Sequence, residues 1–237
     1  MAGDEPYWLA VNLNMCAVLT CSNRYKACQH AIKELGVTKI ILDDGFQHRK
    51  LHRDLNIVLA DSEKLFGNEN LLPAGPLREK PDFNRVDKFI LISKNTDHSK
   101  AEKLARIFEK RYFIHPSSGF QPPSPTRGEG NVLVGKVEPD YVYNIITGEH
   151  LEKGAEITAL SAIGQPEQFY AFLENDYKIK EKITFDDHHQ YVLSDIENIE
   201  GNIITTEKDA VKLALLGKTN IYALKLKTSF DIKKVVL

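Results

Sequence analysis

Ile40-Ile41-Leu42-Asp43-Asp44-Gly45-Phe46-Gln47-His48 runs three apolar residues straight into two carboxylates, a glycine, an aromatic ring, an amide and an imidazole. A short apolar run bounded by turn residues has the pattern of a buried strand. Such a strand would end by delivering acidic and polar groups to one rim, and in a parallel α/β sheet that rim is where ligands bind. Adjacent carboxylates repel each other and are costly to desolvate, so an ionised pair there calls for a cation, with nucleotide-bound magnesium the natural one. Asp and Gly are also common turn residues, and the stretch alone reads equally well as a plain turn.

The segments around it predict the same class of fold. Upstream, Cys16 to Cys21 reads as a strand, Ser22 or Asn23 as a helix cap, and residues 24–35 as a helix ended by Gly36; the strand Lys39 to Leu42 completes a β-α-β unit. Ahead of these, Asp4, Glu5 and Pro6 precede Tyr7-Trp8-Leu9-Ala10 and suit the first turn of a short helix, where the acids sit at its positive end. Downstream, Leu55 to Asp61 and Lys88 to Ser93 are two further apolar runs. Short apolar strands that alternate with helices and loops imply a parallel sheet. Leu71-Leu72-Pro73-Ala74-Gly75-Pro76-Leu77-Arg78-Glu79 is a stiff loop that presents Arg78 and Glu79 at a fixed place, or else a surface ion pair of little energetic weight. A helix over 99–111 places Leu104, Ala105, Ile107 and Phe108 on one side.

Residues 115–140 change character. Rich in Pro, Ser and Gly, they cannot bury enough apolar surface to offset their ordering entropy and read as a disordered linker or insertion. The expected organisation is therefore a core domain over 1–114, the linker over 115–140, and a smaller α/β domain over 141–237. In the last, a hairpin turns at Thr147-Gly148, strands are expected over 157–161, 177–185, 202–206 and 221–226, and helices begin at Pro166, near Leu193 and at Lys208.

With 31 basic and 33 acidic residues in 237, the net charge is −2, so no overall basic field recruits nucleic acid. An apolar fraction of 42% and a charged fraction of 27% are those of a globular protein, and no run reaches the ~20 apolar residues of a membrane span. The three cysteines, odd in number and without a Cys-x-x-Cys pair or a secretory leader, read as reduced thiols of a cytoplasmic protein.

Two constellations could do chemistry: Asp43, Asp44, Gln47 and His48, and Asp187, His188 and His189. A carboxylate beside a histidine orients it and stabilises its imidazolium, which suits general acid–base work. Metal ligation by two His and an Asp is a rival, opposed by the adjacency of the histidines, which on a strand would point to opposite faces. A satisfied structural His-Asp pair also remains open. Thr205-Thr206-Glu207-Lys208-Asp209 reads most simply as a capped helix start.

The segments Asp43-Asp44-Gly45-Phe46-Gln47-His48, Arg53-Asp54, Leu71 to Glu79, Asp187-His188-His189, and Ile204-Thr205-Thr206-Glu207-Lys208-Asp209-Ala210-Val211-Lys212 resemble, in order along nearly the whole chain, the tetraacyldisaccharide 4'-kinase family of lipid A synthesis. The resemblance implies a P-loop-kinase-like α/β core with a parallel sheet, incomplete at its N-terminus. It also implies an ATP- and Mg2+-dependent transfer of phosphate to the 4'-hydroxyl of a lipid A disaccharide monophosphate, peripherally at the cytoplasmic face of the inner membrane. By motif, Gly3-Asp4-Glu5-Pro6 places Asp4 as the catalytic base, paired with His188 or else His189. Asp43 and Asp44 fall on magnesium-holding acids, with Glu79 a further candidate for the metal, and Glu5, Gln47, His48 and Arg78 fall near nucleotide or sugar phosphate. No G-x-x-x-x-G-K-[ST] occurs in the chain. Without that phosphate cradle, a loss of several kcal/mol of transition-state stabilisation is expected, so the polypeptide alone is expected to transfer phosphate poorly. The alternative expectation is an inactive or split-gene C-terminal fragment that retains lipid-sugar binding and needs a separate N-terminal P-loop fragment.

Overall fold

Apolar stretches of this chain become strands where a neighbouring strand pairs with them. The computed structural model of the protein describes residues 3–13, 15–94, 98–114, 131–231, 233 and 235, with the backbone alone at Asp4 and Ile114. The chain divides into two compact units, Leu42–Glu138 with Thr228–Leu237, and Met1–Ile41 with Pro139–Lys227. Residues 1–41 thus group with the C-terminal half and not, as the sequence suggested, with the residues that follow them.

In the first unit, β1 (Ile57–Asp61), β2 (Lys88–Ser93) and the first residues of β3 (Val132–Asn144) run parallel, with Val58 opposite Phe89 and Phe89 opposite Val132. The central β2 is covered on both faces, which is why Phe89-Ile90-Leu91-Ile92 is apolar without alternation. Phe89 and Leu91 pack with Val86, Phe108 and Phe113, while Ile90 and Ile92 pack with Leu133 and Val235. Helix α3 (His98–Phe108) lays Phe108 on Phe89, centroids 5.3 Å apart, and runs into a π-helical turn over Glu109–Ile114. Its buried face is Ala101, Ala105 and Phe108, whereas Ile107 is exposed. The Glu109 carboxylate accepts hydrogen bonds from the backbone N–H groups of Asn131 and Val132 and so fixes the entry to β3. Of the expected linker, 115–130 lies outside the described residues, and 132–140 is strand.

The second unit holds β4 (Glu156–Ser161), β5 (Lys178–Thr184), β6 (Asn202–Thr206) and β7 (Ile221–Ser229). β7 pairs with β6, β6 with β4 and β4 with β5, all parallel. Helix α4 (Pro166–Glu174) connects β4 to β5 and α5 (Glu207–Leu213) connects β6 to β7. Phe169, Tyr170 and Leu173 of α4 cover Ile157, Ala159 and Ile204, and Leu213 of α5 joins Leu160, Ile203 and Ile221. Beyond β3, Asn144 accepts from Ile146 and Thr147 N–H, closing the expected turn ahead of Gly148.

Helices α1 (Asp4–Asn12) and α2 (Arg24–Leu35) also belong to this unit. The α2 boundaries follow from chemistry local to the sequence: the Asn23 side chain accepts from Lys26 N–H, and Gly36 closes the helix at φ 63°. The strands expected over 16–21 and 39–42 do not form. Strand backbone must exchange N–H and C=O groups with a neighbour. Neither run is laddered among the described residues, and Ile41 is 93% exposed.

Candidate active site

Residues 43–48 fold as turns and not as the end of a strand. Asp44 adopts φ 45°, His48 N–H donates to the Gly45 carbonyl at 3.0 Å, and a Cβ on Gly45 would lie 2.7 Å from that of Leu42. Two arginines fasten the turn. Arg53 Nη1 donates to the carbonyls of Gly45 (2.9 Å) and His48 (2.7 Å), and its Nε donates to Asn56 Oδ1 at 2.7 Å. Arg85 donates to the Phe46 carbonyl and sits over the Phe46 ring, 4.4 Å from its centroid. Since Arg53 precedes β1 and Arg85 precedes β2, the turn is pinned at the amino-terminal approaches to these strands and not at a carboxyl rim.

The stiff loop is stiff for identifiable reasons. Leu72 N–H donates to Leu77 O at 2.9 Å, and Gly75 packs so closely that a Cβ would come within 2.4 Å of Asn70 O. The loop delivers Arg78 to Asp44, Nη1 to Oδ2 2.8 Å, and the hydrogen bond and charge of Asp44 raise the Arg78 pKa. Both side chains are more than 60% exposed (62% and 66%), so the pair adds little stability and its groups stay accessible to a ligand. The neighbouring Glu79 is held through Oε2 by Arg49 and through Oε1 by Arg85 at 3.4 Å.

The second constellation follows β5. Asp187, His188 and His189 lie in a turn, with His188 at φ 66°, so the two imidazoles are separated by the turn and not by strand alternation. His189 is built into the packing: its ring stacks on Phe185 at 4.4 Å, meets Tyr191 edge-on, and its Nε2 lies 3.0 Å from Asp195 Oδ2. The Val192 N–H and the His189 ring hold the Asp195 carboxyl below the usual range. By contrast, the His188 side chain is 61% exposed, with Nε2 3.8 Å from Asp187 Oδ2. Desolvation acts upward on Asp187, but the hydrogen bond and charge of Lys208, together with His188, leave its pKa lowered.

Helix α5 positions this turn. Thr206 caps it by accepting from Asp209 N–H, and the fully buried Asp209 Oδ2 accepts from Thr206 Oγ1 (2.8 Å) and from Ala162 N–H (3.0 Å) at the end of β4. The capped start expected from sequence is therefore real, and its lysines also reach the Asp-His-His turn. In the same unit, Glu5 of α1 and Lys208 of α5 line one open cleft of about 350 Å³ with Trp8, Phe169 and Phe172. Asp4 stands in the first turn of α1.

Among the described residues no cluster of three or more His, Cys, Asp or Glu is placed to hold a metal. Magnesium commonly takes one or two carboxylates and completes its shell with water and phosphate, so the adjacent, exposed Asp43 and Asp44 fit it by donor chemistry. Glu79 does not fit as it stands, because both of its oxygens face arginines. The sequence reading passed over Arg53 as a turn clamp, Arg85, Asp195, Lys208 and Lys212. Only the last two carried a local signal, their four-residue spacing on a helix that directly follows a strand.

Parallel strands joined by covering helices place the chain in the α/β class of folds. The model of the LpxK family, tetraacyldisaccharide-1-P 4'-kinase, matches residues 1–236, and the chain belongs to that family. It is 35% identical to a tetraacyldisaccharide 4'-kinase of Syntrophus aciditrophicus, covering 98% of this chain and 63% of the relative. It is 33% identical to that of Halothermothrix orenii, covering 99% and 66%. The chain thus spans just under two thirds of the length of these two relatives. Among solved structures, LpxK from Aquifex aeolicus in complex with ATP superposes with a TM-score of 0.67 at 32% identity, over 99% of this chain and 68% of that one.

Proposed function

We propose that this chain carries the acid–base and metal-facing groups of a kinase that transfers the γ-phosphate of ATP to the 4'-hydroxyl of a tetraacyldisaccharide 1-phosphate, working at the cytoplasmic surface of the inner membrane. The observation that carries the reading is the cleft shared by Glu5 of the Gly-Asp-Glu-Pro helix and by Lys208, the partner of Asp187. It brings the helix that bears Asp4 and the helix that holds the Asp-His-His turn together around one open space.

In this reading Asp4 takes the proton of the acceptor hydroxyl, and His188, exposed beside Asp187, supports the charge that develops. His189, locked against Phe185, Tyr191 and Asp195, shapes the turn. Asp43 and Asp44 would hold the magnesium, which would supply charge neutralisation on the phosphates when nucleotide is bound. Arg78 exchanges Asp44 for a phosphate oxygen, Gln47 and His48 lie along the nucleotide, and Glu5 faces the sugar. The 237 residues contain no G-x-x-x-x-G-K-[ST]. In this reading a P-loop-bearing segment supplies the phosphate grip, and the chain by itself is expected to turn over slowly.

The test is transfer of labelled γ-phosphate from ATP to the tetraacyldisaccharide 1-phosphate by the chain, alone and together with a P-loop-bearing N-terminal segment of a relative. His188→Ala is expected to lower the rate by about 10²- to 10⁴-fold, the range of a lost acid–base group, and His189→Ala to act mainly on stability. Equal activity of wild type and His188→Ala would overturn the assignment.

A further inference from the structure

Lys208 and Lys212 sit one turn apart on the same face of α5 and reach opposite sides of His188. Lys208 Nζ donates to Asp187 Oδ1 at 3.2 Å, one residue before the histidine. Lys212 Nζ donates to the His189 carbonyl at 3.1 Å, one residue after it. Between these two fixed points His188 holds its left-handed backbone, a conformation that a non-glycine residue adopts at a cost and keeps only where its surroundings impose it. The platform for the grip is itself anchored, because buried Asp209 ties the start of α5 to Ala162 at the end of β4.

We propose that Lys208 and Lys212 are positioning residues for the Asp187–His188 pair, Lys208 acting through the Asp187 carboxylate and Lys212 through the backbone of the turn. The inference rests on the reading of His188 given above and adds to it the device that presents the imidazole. Neither lysine reaches the reacting atoms in this scheme. Lys208 fixes where the carboxylate sits, so that the histidine faces a negative charge held in one place. Lys212 prevents the turn from relaxing toward the right-handed backbone, which would swing the imidazole away.

Groups around the carboxylate support this division of labour. Asp187 faces Lys208 from α5 and His188 from its own turn. From the loop after β4 it faces Gly164, where an added Cβ would stand 3.5 Å from Oδ2. Glu207, next to Lys208, is turned to Lys225 (2.7 Å) and Tyr143 (3.3 Å) and does not compete for the lysine. Asp186, adjacent in sequence, accepts from His189 N–H through its backbone carbonyl.

The experiment is NMR on the 237-residue chain with Lys208→Met, Lys208→Arg and Lys212→Met. Carbon-detected titration of the Asp187 carboxyl is expected to show the midpoint rising in Lys208→Met, where the hydrogen bond and charge of the lysine are lost, and falling again in Lys208→Arg, which restores a cation. The His188 amide order parameter is expected to drop in Lys212→Met from about 0.85 to below about 0.6, while β4 and β6 amides keep theirs and so show that the fold is intact. An Asp187 midpoint unmoved by Lys208→Met, or a His188 amide as ordered in Lys212→Met as in wild type, overturns the proposal. Phosphate transfer read on the same variants and on His188→Ala, with the P-loop-bearing segment of a relative present, separates the two ideas. If the NMR responses appear but transfer does not depend on His188, the grip stands and the kinase reading fails. If transfer depends on His188 but neither NMR response appears, the kinase reading stands and the grip fails.

Discussion

At the scale of single residues, Arg53 decides the shape of a stretch it does not belong to. A charged donor bonded to two carbonyls and an amide oxygen contributes more than a neutral one, but Arg53 is partly exposed and its bonds compete with water. Arg53→Ala is therefore expected to cost about 2 kcal/mol, read from the urea midpoint. Arg53→Lys should cost nearly as much, because a single ammonium cannot span three acceptors set for a planar fork. If Lys restores full stability, the charge and not the fork holds the turn. Asp195 makes a prediction in pH. Its folded-state pKa is depressed by Val192 N–H and His189, so it binds its proton more weakly folded than unfolded. The stability it adds is fully present above the unfolded value of about 3.9 and is lost as pH falls through the lower folded value. The difference in unfolding free energy between wild type and Asp195→Asn should accordingly close as the pH falls below about 4; a difference that persists at the acid limit would contradict the assignment.

At the scale of elements, helices α2 and α5, each capped by a side chain, test how much of a cap is local. Asn23 and Thr206 each accept from the N–H three residues on. Asn23 is exposed, and Asn23→Ala should cost about 1 kcal/mol, the usual value of a cap. Thr206 also donates to the buried Asp209 carboxylate, so Thr206→Ala removes the cap and a hydrogen bond to that carboxylate, and should cost about 2 to 4 kcal/mol. Thr206→Ser should recover most of this; equal costs at the two caps would mean that Asp209 is indifferent to its partner. The same contrast shows what the sequence makes legible. Helix α2 was readable to the residue because cap, apolar face and terminal glycine all lie within its own stretch. Strands β1, β2, β4, β6 and β7 were readable because each holds an apolar run with a partner, whereas the first residues of β3 fell within the expected linker. Cys16 to Cys21 and Lys39 to Leu42 look the same in composition but lack the ladder, and pairing is a non-local property that composition does not carry. At the site, the acids and histidines were visible as residue types, while the groups that hold them were not. Arg53 meets Gly45 across 8 residues, Arg85 meets Phe46 across 39, and Lys208 meets Asp187 across 21, separations that only the folded chain closes.

At the scale of the whole molecule, charge decides how the chain can reach a lipid substrate. Among the described residues no helix is long and apolar enough to cross a membrane. A net charge of −2 supplies no general attraction to the anionic surface of a bilayer, where each basic residue of a polybasic segment would add about 1 kcal/mol. If the chain works on a tetraacyldisaccharide phosphate, the specific sugar-phosphate head group must then supply the binding, with the lipid matrix contributing little. Flotation with vesicles of anionic phospholipid alone should recover little protein at low salt, and addition of the tetraacyldisaccharide 1-phosphate should raise recovery. Contacts made by partly buried groups are screened less than surface charges, so the added recovery should largely persist at about 1 M salt, where the screening length is near 3 Å. Strong binding to plain anionic vesicles that disappears in salt would mean instead that a local basic patch recruits the chain whatever the head group.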